Sequence, residues 1–86
     1  MVLLDLSNNL AHFILSYINY LANLFSPQLT NVEFVEEIKL AMGWLRKLVD
    51  IYESVPEFFY LSVEYLMVRH KIDEIDYLVR VMNMEN

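Results

Sequence analysis

The sequence predicts an all-α fold: a three-helix antiparallel bundle, packed as a homodimeric helical bundle. Three observations predict it. The 86 residues include one glycine, Gly43, and two prolines, Pro27 and Pro56, too few breakers for a turn-rich β fold. Apolar residues recur at alternating spacings of three and four along three successive stretches, which is the helical period. Each proline falls between two of these stretches, beside residues that favour helix starts. The length sets a single domain, residues 1–86, with helices over about 3–25, 31–53 and 55–82.

The first helix carries a heptad-type seam of Leu6, Leu10, Phe13, Tyr17, Tyr20 and Leu24, all on one stripe. Ile14, Ile18, Leu21 and Phe25 form a second stripe beside it, so the apolar face is wider than a two-stranded coiled coil requires. The remaining stripe is Asp5, Asn9, His12, Ser16, Asn19 and Asn23. It is polar but almost uncharged. From Leu6 to Val32 the chain has no formal charge, although it carries 6 basic and 12 acidic residues in all.

Ser26-Pro27 interrupts the pattern, and Thr30 with Glu33 has capping-box spacing. The second helix has the seam Phe34, Ile38, Ala41, Leu45, Leu48 and Tyr52, widened by Val35, Met42 and Val49. Glu36, Lys39, Arg46, Lys47 and Asp50 mark its solvent face. Acidic residues gather early and Arg46 and Lys47 late, as the helix dipole favours. Ser54-Val55-Pro56-Glu57 reads as the next start signal, with Ser54 capping. The third seam, Phe58, Leu61, Tyr65, Val68, Ile72, Ile75, Val79 and Met82, runs without a break and predicts one long helix. Asp73 offers the rival reading, a split near 70–73.

Composition excludes several function classes. There is no cysteine, hence no disulfide framework, thiolate metal site or cysteine nucleophile. The net charge of −6 argues against nucleic acid as a partner, which needs a clustered positive surface. Arg69-His70-Lys71 is the one basic triplet, and acidic residues surround it. His70, Asp73 and Glu74 share a helix face, but a carboxylate-bridged metal bundle also needs Glu-x-x-His pairs that this chain lacks. A solvated face with His70–Glu74 and Asp76–Arg80 pairs explains them as well. Neither Ser7 nor Ser16 has an evident base and orienting acid beside it. No enzyme activity, cofactor or metal is therefore expected.

The uncharged first helix poses the functional question. Leu6–Phe25 reaches the length of a membrane span, but Asn8, Asn9, His12, Asn19 and Asn23 interrupt it and no basic flank sets an orientation. An in-plane membrane helix normally carries Lys or Arg on its polar face, and this one has none. Neutral amides are accommodated at a protein interface without the desolvation cost of a charge. A hydrophobic content of 57%, above the usual 45–50% or so, also points to a partner. The expectation is a non-enzymatic helical interaction module, acting as adaptor, regulator or structural component, in a homodimer or higher homo-oligomer. Asn9, His12, Ser16 and Asn19 are its candidate interface. Leu40, Gly43 and Trp44 join it, because a mid-helix glycine fits close approach of another helix and Trp is enriched at binding hot spots. The alternative is a membrane-surface amphipathic protein. No basic residue precedes the apolar run and no cleavage site follows it, so no signal peptide is expected and the location expected is cytoplasmic. A bias towards Asn, Ile, Leu, Tyr and Phe fits a small viral or plasmid gene.

Overall fold

A computed structural model describes residues 2–25, 32–55 and 62–84 of the chain. Within these, side chains are described for residues 2–23, 35–55 and 62–81. Three helices pack against one another: α1 (Val2–Phe25), α2 (Val32–Glu53) and α3 (Val63–Met84). The expected Thr30–Glu33 capping box lies outside the described residues, as do Pro56, Glu57, Phe58 and Leu61.

The middle helix supplies most of the core. Ala41, Met42, Leu45, Leu48, Val49 and Tyr52 are buried on α2, with Ile38 half-buried beside them. These are the seam and flanking positions that the spacing predicts, and Glu36, Lys39, Arg46, Lys47 and Asp50 face water. α1 contributes Ala11, Ile14, Leu15 and Ile18 to the same cluster, and Leu21 is buried further along. α3 contributes Val68, with Tyr65, Ile72 and Ile75 packed on the rim. Its seam runs as expected as far as Val79, which is exposed.

The structure decides one point that the spacing leaves open and moves one helix boundary. The α1 stripe that enters the core is Ile14, Ile18 and Leu21, joined by Ser7, Ala11 and Leu15. The longer seam, Leu6, Leu10, Phe13, Tyr17 and Tyr20, stays exposed. A helix apolar on two adjacent stripes fits the core with either, so its period alone does not choose. Secondly, the third helix begins at Val63 rather than near 55. Ser54 closes α2 instead of opening α3: its amide donates to the Asp50 and Ile51 carbonyls at 3.0 and 3.3 Å, and its Oγ donates to the Ile51 carbonyl. Ser62 is the actual cap, accepting a hydrogen bond from the Tyr65 amide at 3.1 Å, the N-cap to N3 geometry. From Val63 on the helix is continuous past Asp73, as the unbroken seam predicts.

All three helices meet at one polar junction. The Asn8 carbonyl on α1 accepts hydrogen bonds from the Tyr52 hydroxyl at 2.7 Å and the Ser62 hydroxyl at 2.8 Å. Tyr52 and Ser62 are 2% and 3% exposed, so each hydroxyl needs this partner. Burial pushes the Tyr52 phenol above its ordinary pKa. The Tyr52 ring meets Tyr65 edge-on, with centroids 5.5 Å apart and planes at 67°, and Tyr65 donates to Glu53 at 2.8 Å.

Removing the shared acceptor takes the hydrogen-bond acceptor from two buried hydroxyl donors, at about 1–3 kcal/mol each where water does not enter. Asn8→Ala is expected to cost about 2–4 kcal/mol in urea unfolding, whereas Asn9→Ala, on the exposed stripe, stays within about 0.5 kcal/mol of the parent. Equal losses at the two positions would refute the junction.

Candidate interaction surface

The outward face of α1 is the unusual surface of this protein. Among the described side chains, Leu6, Asn9, Leu10, His12, Phe13, Ser16, Tyr17, Asn19, Tyr20, Ala22 and Asn23 are its exposed positions after Asp5, and none is an acid, lysine or arginine. Phe13 is 72% exposed. On α2, Leu40 and Trp44 are 62% and 57% exposed. Spacing of four puts them on one edge of their helix, the edge that faces α1. Together with Leu10, Phe13, Tyr17 and Glu37 they line an open apolar groove of about 470 Å³.

Polar contacts frame this strip on both sides. On the α2 side, the Tyr17 hydroxyl donates to Glu37 at 2.8 Å. That bond and the nearby negative charge favour the protonated phenol and raise its pKa. Further along α2, the Lys47 ammonium sits 5.3 Å from the centre of the Trp44 ring, a cation–π contact. On the α3 side, His12 Nε2 lies 3.0 Å from a Glu64 carboxylate oxygen. Glu64 is held below its ordinary pKa of 4.5, chiefly by a hydrogen bond from its own backbone amide in the first turn of α3. Burial opposes that shift, and His12 adds to it.

The seven candidate residues divide between two places. Leu40 and Trp44 sit in the groove, where the structure adds Leu10, Phe13 and Tyr17. Asn9, Ser16 and Asn19 are exposed on the neighbouring flank of α1, centred about 100° around the helix from the apolar strip at 100° per residue. His12 is exposed on the same flank and bridges to Glu64 of α3. At Gly43 the position of a Cβ is open, with no neighbouring atom within 4 Å. Among the described residues no helix therefore packs closely there. The seam of α1 is legible in the sequence as a spacing pattern, whereas its exposure is not.

Other sequence candidates resolve as surface chemistry. His70 lies 3.6 Å and Lys71 3.2 Å from Glu74. Asp76 pairs with Arg46 of α2 at 3.1 Å rather than with Arg80, because packing brings a cation from the neighbouring helix closer than the next turn does. Among the described residues no three His, Asp or Glu side chains are grouped to hold a metal ion. Ser7 is buried. Ser16 stands one turn beyond His12, and no hydrogen bond joins the two. No described helix is long and apolar enough to cross a membrane.

The molecule also exposes more surface than its mass requires. Its accessible area is 6240 Å², against about 5,400 Å² for a 10.3 kDa monomer. Its radius of gyration is 14.0 Å, against about 12 Å for a compact chain of this length. No protein-family model, curated protein or solved structure matches the chain, so its surface carries the functional reading.

Two outcomes follow from this geometry. Gly43→Ala has open space and a helical backbone, and is expected to stabilise the fold by about 1 kcal/mol in urea unfolding; destabilisation would mean that something packs on Gly43. Because the folded pKa of Glu64 is depressed, its carboxylate contributes stability above pH 4.5, and that contribution is lost as the pH falls through the lowered folded value. Glu64→Gln should therefore lower the urea midpoint at pH 7 and leave it unchanged near pH 2. Equal lowering at both pH values would contradict the assignment.

Proposed function

We propose that this chain is a non-enzymatic helical interaction module, working as an adaptor, regulator or structural component through a homodimer. One observation carries the reading: the outward face of α1 is free of charge after Asp5, and its strip of Leu6, Leu10, Phe13, Tyr17 and Tyr20, joined by Leu40 and Trp44, is a large exposed apolar surface. Monomeric proteins rarely expose contiguous apolar patches beyond about 300–600 Å², and solvent-facing helices gain solubility from Glu and Lys, as α2 does here. A partner that covers this face removes the anomaly.

In the same reading the helices run up-down-up. The pairings Asn8–Tyr52 and Tyr17–Glu37 support that course, since one number rises as the other falls. The proposed setting is the cytoplasm. Asn9, Ser16 and Asn19 then rim the assembly surface, where neutral amides hydrogen-bond across an interface without desolvating a charge.

A second reading has its own support. Phe13, Tyr17, Tyr20 and Trp44 are aromatic and exposed, the residue types that sit at a lipid headgroup boundary. Against it, the exposed α1 face after Asp5 bears no Lys or Arg to meet anionic lipid.

Light scattering coupled to size-exclusion chromatography is expected to give twice the chain mass at micromolar concentration. A mass of one chain under those conditions overturns the dimer. Co-sedimentation with neutral and anionic vesicles is expected to leave the protein in the supernatant; pelleting with either would favour the membrane reading.

A further inference from the structure

Resting on the homodimer reading, we infer that the second copy stacks antiparallel on the α1–α2 face, about a two-fold axis that passes α1 at Phe13 and α2 midway between Leu40 and Trp44. The occupant of the groove is thus this same face of another molecule, and not the neutral Asn stripe.

Area supports a second copy. The exposed parts of the strip and of the two α2 residues expose roughly 800 Å², at about 200 Å² per large side chain. A standard interface buries about 800 Å² on each partner. The outer face of α3 also exposes Val63, Leu66, Met67, Tyr77 and Leu78, but His70 and Glu74 interrupt it midway. The α1 strip has no such interruption.

Register follows from the spacing. Leu6, Leu10, Phe13, Tyr17 and Tyr20 lie nearly symmetrically about Phe13. Antiparallel pairing therefore sets Phe13 against Phe13 of the second copy, Leu10 against its Tyr17 and Leu6 against its Tyr20. Phe13 lines the groove with both Leu40 and Trp44, so the same axis passes α2 between them. Leu40 then meets Trp44 of the second copy.

Charge agrees independently. On α2 the register that pairs 40 with 44 also pairs 37 with 47. Glu37 faces Lys47 of the second copy, and Lys47 faces its Glu37. Both side chains already stand at the edge of the apolar strip, Glu37 on Tyr17 and Lys47 on Trp44. A parallel pairing in register would instead set each charge beside its own kind. Isologous dimers are self-complementary in just this sense.

The absence of cysteine makes the test direct. Single cysteines are placed at Phe13, Asn19 and Leu66, oxidation is catalysed at micromolar protein, and mass is read before and after. Phe13→Cys is expected to form a disulfide-linked dimer, or to become monomeric through loss of the central ring. Asn19→Cys and Leu66→Cys are expected to stay dimeric without cross-linking. A dimeric Phe13→Cys protein that does not cross-link overturns this arrangement while leaving the homodimer standing, as does efficient cross-linking at Asn19 or Leu66. A wild-type chain of monomer mass overturns both. A charge swap tests the register separately: Glu37→Lys should raise the dissociation constant about tenfold, and adding Lys47→Glu should restore it. If the double variant is as weak as the single one, the 37–47 register is wrong.

Discussion

The rest of the structure depends on the Asn8 side chain. Its carbonyl is the one acceptor shared by a buried tyrosine of α2 and the capping serine of α3. Apolar burial alone leaves the rotation of α1 weakly specified, because two of its stripes have core spacing and hydrophobic burial has no direction. A buried hydroxyl does have direction, and losing its partner costs the full desolvation penalty. The junction therefore sets the height of α1 against Tyr52 and the point at which α3 begins. The Ser62 hydroxyl acts twice, donating to Asn8 and accepting from the Tyr65 amide, so the start of the third helix is tied to the position of the first.

That constraint explains the exposed strip. α1 is apolar around more than half its circumference, and two of its stripes have the spacing of a core seam. Asn8, through Ser62, and His12, through Glu64, hold one flank against the start of α3, while Tyr17 holds the other against Glu37 of α2. Between these anchors the helix has one rotational setting, which turns Ile14, Ile18 and Leu21 inward and leaves Leu6, Phe13 and Tyr20 outward. The exposed side is a consequence of where the polar bonds are. If α1 turned to bury the longer seam, Asn8 would leave Tyr52 and Ser62 without their acceptor.

Two side chains of this surface already have partners, Tyr17 in Glu37 and Trp44 in Lys47. Side chains already held by Glu37 and Lys47 lose less conformational freedom on association than mobile ones do. The third helix sits at the other extreme. It places Val68 in the buried cluster and leaves Tyr77, Leu78 and Val79 in water, so its outer end contributes little to the core. The protein thus concentrates its packing in α2 and its unsatisfied apolar surface on α1, and the proposed assembly joins those two helices to their copies.

The sequence by itself determined the helical class, the α2 seam from Ile38 to Tyr52 and the absence of charge on α1 after Asp5, and it favoured a third helix continuous past Asp73. These follow from periodicity and from charge, which are properties of one element at a time. Only the tertiary structure decided which α1 stripe is buried, that Asn8 is the polar hub, and that Leu40 and Trp44 stand beside Leu10, Phe13 and Tyr17. It also moved the third helix start from Ser54 to Ser62, since both serines have capping chemistry and only their surroundings tell them apart. A period of 3.6 residues says that a helix has a face. It does not say which neighbour that face will meet, and Asn8 meets partners 44 and 54 residues away along the chain.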